Sequence, residues 1–350
     1  MNENKLYFDL NVLKKFINNS LGLDYEKHDV TGYELISPIL QASAYNTYVE
    51  TISNKTDTLY SRIKESFVSM MEHAYLNYIK NVSLKFNLNE KEVILAFDYT
   101  EEDFYGEVNG FEIHGWTGED GVTGHFKFLT CSIISDEIPQ KIPLISIPIH
   151  LGQYKSSAIL HCLSLIKDKI GKIKLIIFDR GFYDNDLMYE LTKWDYPFLI
   201  FVRKLKEYKI FLKELEKGKT IIVHDYTFKK DKSGYEGEKY LAFLKEIYDP
   251  RSEKNLDWIF ATNIESVALG DILSEYKKRW RIETSFRVQD EATIKCKSKD
   301  MKIRYFFFLF EQMLQVMWIC FFKEEATFKE FIIEMYEVSK RWMEQNKQSF

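Results

Sequence analysis

The sequence predicts an α/β fold: a mixed sheet flanked by helices, with a β-rich insertion and an N-terminal helical domain. Three observations predict it. Two short apolar runs, Val93 to Phe97 and Leu175 to Phe178, have the continuous texture of strands buried on both faces. Three strand candidates follow one another before any helix, and from there helix and strand alternate. The first 88 or so residues instead carry apolar side chains at helical spacing.

Leu10, Leu13, Ile17 and Leu21 mark a first helix, and Thr56-Asp57 is placed to cap a second that carries Leu59, Ile63, Phe67, Met70 and Met71. The strand at Val93 follows, then strands over Gly124 to Ile134 and Ile142 to Ile149. Ser156 or Ser157 can cap an amphipathic helix with Ile159, Leu160, Leu163, Ile166 and Ile170. A strand over Lys174 to Phe178, a short helix over Asp186 to Lys193 and a strand over Phe198 to Val202 complete the alternation. This order is similar to that of a ribonuclease-H-like sheet. Lys204 to Asp257 is polar and rich in Lys and Tyr, which reads as a short-stranded insertion rather than a separate domain. Trp258 to Thr262 returns as a strand, followed by a long helix from about Leu269 to Glu291, an aromatic helix over Tyr305 to Phe322 and an amphipathic helix near Phe328 to Met343. The expected organisation is a helical segment over 1–88, an α/β domain over 89–325 with 204–257 inserted, and a C-terminal helix over 326–350.

Composition excludes several classes. With 350 residues, 45% hydrophobic and 29% charged, the chain is neither disordered nor a small disulfide scaffold. Cys131, Cys162, Cys296 and Cys320 lack zinc-ligand spacing and suit a reducing cytoplasm. The seven His form no HExxH, and no phosphate-binding glycine loop is present. Met1 to Asp9 mixes charge with apolar residues, unlike a secretory signal. Phe306 to Phe322 is membrane-like in composition, but Glu311, Gln312 and Gln315 interrupt it, so a buried helix and no membrane partner are expected.

Two strands end alike, in Leu95-Ala96-Phe97-Asp98 and Ile176-Ile177-Phe178-Asp179. An acid at the C-terminal end of a buried strand sits where open α/β sheets place ligands, although such an Asp also caps loops. At 100° per residue, Tyr276, Arg279, Trp280, Glu283, Arg287 and Asp290 share an arc of about 100°. That arc is either a salt-bridged solvated face or a site.

Together these residues identify a resemblance. The chain resembles insertion-sequence DDE transposases, in the branch with a strand-rich insertion and a Tyr-x2-Arg-x3-Glu-x6-Lys signature. Tyr276, Arg279 and Glu283 fit that spacing; Asp98, followed by Tyr99-Thr100, matches the first acid. Asp179, in Asp179-Arg180-Gly181-Phe182, matches the second, and Ala261-Thr262-Asn263 is also similar. The likeness covers residues 90 to 325. It departs at Asp290, where the signature has Lys; Arg287 or Lys295 could substitute for that contact.

The resemblance implies a DNA transposase, prokaryotic, cytoplasmic and nucleoid-associated, that cuts element ends and transfers the freed 3′-OH into target DNA. It implies DNA binding for the segment over 1–88 and catalysis for the domain over 89–325. Its partners would be double-stranded DNA, as terminal repeats and target, and a second copy of the chain in the DNA complex. Its cofactors would be two divalent ions, Mg²⁺ or Mn²⁺. Hard ions of this kind need oxygen ligands and no His or Cys. Asp98 would bridge both ions, with Asp179 and Glu283 completing one site each. Arg279 offers a fork for phosphate oxygens, while Tyr276 and Trp280 could stack on a base, or Trp280 could be core. Arg180 could meet phosphate or hold Asp179. Glu101, Glu102 and Asp103 read as a solvated turn. The competing functions are an RNase-H-like nuclease without strand transfer, and a decayed transposase that only binds DNA.

The net charge of −5 does not exclude DNA, because it sums unlike parts. Residues 101–150 hold nine acids and two bases, whereas 203–232 hold ten bases and five acids, and 271–304 ten and six. The two basic stretches are where phosphates are expected.

Overall fold

A computed structural model describes residues 1–23, 30–115, 119–136, 138, 141–230, 235–249, 252–264 and 269–347. The helical N-terminal region comprises α1 (Glu3–Leu21), α2 (Gly32–Tyr45), α3 (Thr56–Glu65) and α4 (Val68–Phe86). The sheet strands are β1 (Val93–Phe104), β2 (His114–Gly115), β3 (Gly124–Ile133) and β4 (Ile142–Pro148). Then come α5 (Lys155–Ile166), β5 (Ile173–Phe178), α6 (Asn185–Lys193) and β6 (Phe198–Phe201). The inserted stretch forms α7 (Lys206–Glu214), β7 (Thr220–Lys230), β8 (Tyr235–Asp249) and β9 (Lys254–Thr262). The chain closes with α8 (Leu269–Lys277), α9 (Trp280–Gln289), α10 (Met301–Phe321) and α11 (Phe328–Lys347).

The nine strands form one sheet in the order β2-β3-β1-β5-β6-β9-β8-β7, with β4 beside β3. β1 runs parallel to β5 and β5 to β6, whereas β3, β4 and β9 join antiparallel. This is the ribonuclease-H-like mixed sheet flanked by helices that the element order predicts. Residues along β1 alternate between two cores. Val93, Leu95 and Phe97 face the larger one, with α1 to α5, α10 and α11; Ile94 and Ala96 face a smaller one with Ile272, Tyr276 and Ile282 of α8 and α9. The ends of the chain meet in the larger core. Lys5 Nζ donates to the carbonyl of Phe321 at 2.5 Å, and the Tyr33 hydroxyl donates to that of Trp342 at 2.7 Å.

Several local expectations give way to the structure. The inserted strands are long, 11 residues for β7 and 15 for β8, and they extend the same sheet. One expected helix is two, α3 and α4, parted at Ser66-Phe67, and Thr56 spends its hydroxyl on the carbonyls of Val49 and Ser53 instead of capping. Neither Ser156 nor Ser157 caps α5; the N-cap is Tyr154, and the Ser156 hydroxyl bonds Asp186. β1 does not end at Asp98 but pairs with β3 as far as Phe104, so Glu101 to Asp103 lie in a strand and not a turn. α10 is buried along almost its whole length, with Gln312 bonded to Ser146. No helix among the described residues is long and apolar enough to cross a membrane.

Candidate active site

The sheet brings the two aspartates together by register. Ala96 of β1 pairs with Ile177 of β5 in the parallel ladder. Two residues further along, Asp98 and Asp179 follow at corresponding positions, and adjacent strands are only about 4.8 Å apart. Phe97 and Phe178, one residue earlier, stack at 5.5 Å in the larger core. Alternation therefore turns both aspartates to the opposite side, toward α8 and α9. Each carboxylate is also held by the backbone just after it, within β1 itself for Asp98 and in the turn that follows β5 for Asp179. The Tyr99 N–H donates to Asp98 Oδ1 at 2.9 Å, and the Gly181 N–H donates to Asp179 Oδ1 at 2.6 Å. Lys155 Nζ, at the start of α5, donates to the Gly181 carbonyl at 2.6 Å and so braces that turn.

The helix that carries the third acid is not continuous. α8 stops at Lys277 and α9 begins at Trp280. At the break, the N–H of Arg279 bonds the Tyr276 carbonyl and the N–H of Ile282 bonds that of Arg279, both i to i+3, which tightens the turn. The expected single face of about 100° is thereby divided. Tyr276 is 2% exposed, its ring among Phe201, Trp258 and Phe260 in the smaller core. Trp280 is half-buried, 6.4 Å from Trp258. Arg287 is exposed on the outer side of α9.

Arg279 is the centre of the arrangement. It is 7% exposed. Its Nη1 donates to Asp98 Oδ2 at 2.9 Å and its Nη2 to Glu283 Oε1 at 2.8 Å, so one guanidinium spans two of the three acids. Its Nε is buried and has no hydrogen-bond partner among the described residues. Burial pushes the Asp98 carboxyl up to about 6; Arg279 opposes that rise, and the charges of Asp179 and Glu283 add to it. Asp179 and Glu283 thus both act on Asp98.

Three carboxylates and no softer donor are chemically suited to a hard divalent ion. As they stand, Asp98 and Glu283 are closed around Arg279, and among the described residues no three His, Cys, Asp or Glu side chains are grouped to hold a metal. The donor chemistry therefore fits, and Arg279 occupies the space between two of the donors.

The remaining residues singled out in the sequence lie around this centre. Arg180 is exposed and makes no ion pair among the described residues, which removes the option that it holds Asp179. Asp290 ends α9 on the rim of a cavity of about 800 Å³ that also takes in Lys295, Lys297 and Glu101. Asn263 is structural: it accepts from the Phe198 N–H and donates to the Tyr196 carbonyl, pinning β9 to β6. A second cavity, of about 560 Å³, opens along Thr284 and Ser285 between Trp280 and Trp318, with Lys277 and Lys323 on its walls. Sequence reasoning missed two contributors, Lys155 and Arg304. The latter donates to Glu102 Oε2 at 3.2 Å and makes a second clamp on β1.

Residues 153–309 match the family model described as transposase DDE domain, a span that includes Asp179, Arg279 and Glu283 but begins after Asp98. The fold is similar to a piggyBac transposase in a cryo-EM structure of its synaptic complex with hairpin DNA. The TM-score is 0.60 at 13% identity, over 98% of this chain and 80% of that one. No curated protein matches in sequence.

Proposed function

We infer that this chain, a DDE transposase of the ribonuclease-H-like type, cleaves DNA at the ends of an insertion sequence and joins the freed 3′-OH to target DNA. The observation that carries this reading is that Asp98 and Asp179 follow at corresponding positions of two adjacent strands while one arginine ties Asp98 to Glu283 of the helix. A simple fold scaffold has no use for three acids beside one another in a half-buried setting.

Asp98, Asp179 and Glu283 are the residues that would hold two Mg²⁺ or Mn²⁺ ions, which when bound lower the pKa of an attacking water and neutralise charge on the phosphate. The protein supplies the placement. The parallel register fixes the two aspartates, the Tyr99 and Gly181 N–H groups orient their carboxylates, and the tight turn at Arg279 sets Glu283 against Asp98. Arg180, next to Asp179 in the chain, and Arg287, one turn after Glu283, are both exposed and suited to duplex phosphates. Tyr276 backs the Arg279 guanidinium, 5.7 Å from its ring, rather than presenting an open face to a base. DNA is the partner, a second copy of the chain joins in the DNA complex, and residues 1–88 contribute to end recognition.

The test uses DNA carrying the inverted repeats that flank the gene, with Mn²⁺ or Mg²⁺. Cleavage and a joined product are expected, with Asp98→Asn slower by about 1,000-fold or more. Cleavage without joining would reduce the protein to a nuclease. Binding with no cleavage by the parent would leave only a DNA-binding protein. Undiminished cleavage by Asp98→Asn would overturn the site.

A further inference from the structure

Resting on the carboxylate assignment above, we propose that Arg279 is a built-in counter-ion that competes with a divalent cation for Asp98 and Glu283, and that a DNA phosphate draws it away. The two bonds of its fork take one oxygen from each acid, at 2.9 and 2.8 Å. A cation bound to those same oxygens would share their lone pairs with the guanidinium and be repelled by its charge. The two occupants therefore exclude each other.

The bridge is also incomplete in a way that favours departure. Arg279 Nε is buried and has no partner among the described residues, so the fork is only partly satisfied by the two acids. A phosphate has several oxygens on one centre and can meet a guanidinium through paired N–H donors, Nε included. The residue sits in the break between α8 and α9, so its side-chain torsions can re-aim the fork without unwinding either helix. Cation binding and DNA binding are then positively coupled: the acids become good ligands when substrate phosphate has taken the arginine.

The probe is Mn²⁺ alone, titrated into the full chain by calorimetry and by electron paramagnetic resonance of the free ion. Without DNA, Arg279→Met is expected to bind Mn²⁺ about tenfold more tightly than the parent. Equal or weaker binding overturns the competition. Adding a mixed-sequence duplex of about 20 bp at low salt is expected to tighten Mn²⁺ binding by the parent and leave Arg279→Met unchanged. Equal tightening of both overturns release by phosphate. Adding Asp98→Asn to Arg279→Met is expected to abolish the gain; a gain that survives places the ion elsewhere and overturns the carboxylate assignment, a failure distinct from the other two. If Arg279→Met does not fold, Arg279→Lys carries the same prediction in smaller measure, because an ammonium cannot span both acids, and no gain there overturns the proposal.

Discussion

Two arginines reach acids of the same strand, and they are used in opposite ways. Arg304 and Arg279 are each 7% exposed. Arg304 donates to Glu102 and, through Nε and Nη2, to the carbonyls of Ser298 and Cys296 at 2.9 and 3.1 Å; its charge also lies 4.5 Å from the Phe126 ring. All three of its nitrogens are engaged, two of them by backbone that cannot leave. Arg279 bridges two carboxylates, leaves Nε without a partner among the described residues, and takes no backbone carbonyl. A fully satisfied guanidinium is a structural fastening. Arg279 is held instead by two acids and by Tyr276, whose ring lies 5.7 Å from the guanidinium, all of them side chains that can move.

The largest effect should come from the fastening. Arg304→Met leaves half-buried Glu102 without its partner and two carbonyls without donors, and should cost about 3 kcal/mol of stability by chemical denaturation. Mn²⁺ affinity should stay within about twofold of the parent. A loss of metal binding without a loss of stability would reverse the contrast between the two residues.

Asp9 extends the comparison to a buried acid with no arginine. It is 2% exposed in α1, its Oδ2 has no partner among the described residues, and burial pushes its carboxyl up to about 7 despite the charges of Lys5 and Lys85. A carboxyl whose pKa is raised by folding binds protons better in the folded state, so its contribution is favourable at low pH and is lost as pH rises from about 4 through about 7. Asp9→Asn should therefore raise stability by about 2 kcal/mol at pH 8 and by much less at pH 5. An equal gain at both values, read from melting temperature, would show that ionisation is not the cause.

Arg279→Met should be milder than Arg304→Met, with a cost of about 1 kcal/mol recovered on adding Mn²⁺. A cost as large as that of Arg304, and unaffected by Mn²⁺, would make both arginines structural. Smallest of all are the exposed residues. Arg180→Ala and Arg287→Ala should leave the melting temperature unchanged and each lower the slope of log affinity against log salt for duplex DNA by about 1. An unchanged slope would take that residue out of the DNA path.

The sequence showed the elements whose signal is local. The apolar runs ending in Asp98 and Asp179 read as strands because only a doubly covered sheet buries residues on both faces, and the register then does the rest. The Tyr276, Arg279 and Glu283 spacing was equally visible. What was hidden depends on partners far away in the chain. Glu101 to Asp103 look like a turn until β3 pairs with them and Arg304 neutralises Glu102. The break at Lys278-Arg279 has no glycine or proline to announce it; it appears where Asp98 draws Arg279 sideways and Lys278 meets Asp136 at 2.6 Å. One signal was present and overlooked. Thr31 and Glu34 form a capping box at the start of α2, the T-x-x-E pattern that marks a helix N-terminus.

The meeting of the chain's ends carries a consequence for how the molecule comes into being. The Tyr33 hydroxyl finds its acceptor at Trp342, 309 residues later, and Lys5 finds Phe321, 316 residues later. During synthesis the first helices leave the ribosome long before α10 and α11 exist to cover them. At about 5–20 residues per second, Phe16 waits for tens of seconds before Phe306 and Phe310 of α10 reach it. A message cut short before α10 and α11 therefore yields a chain with an exposed apolar seam, a substrate for proteases.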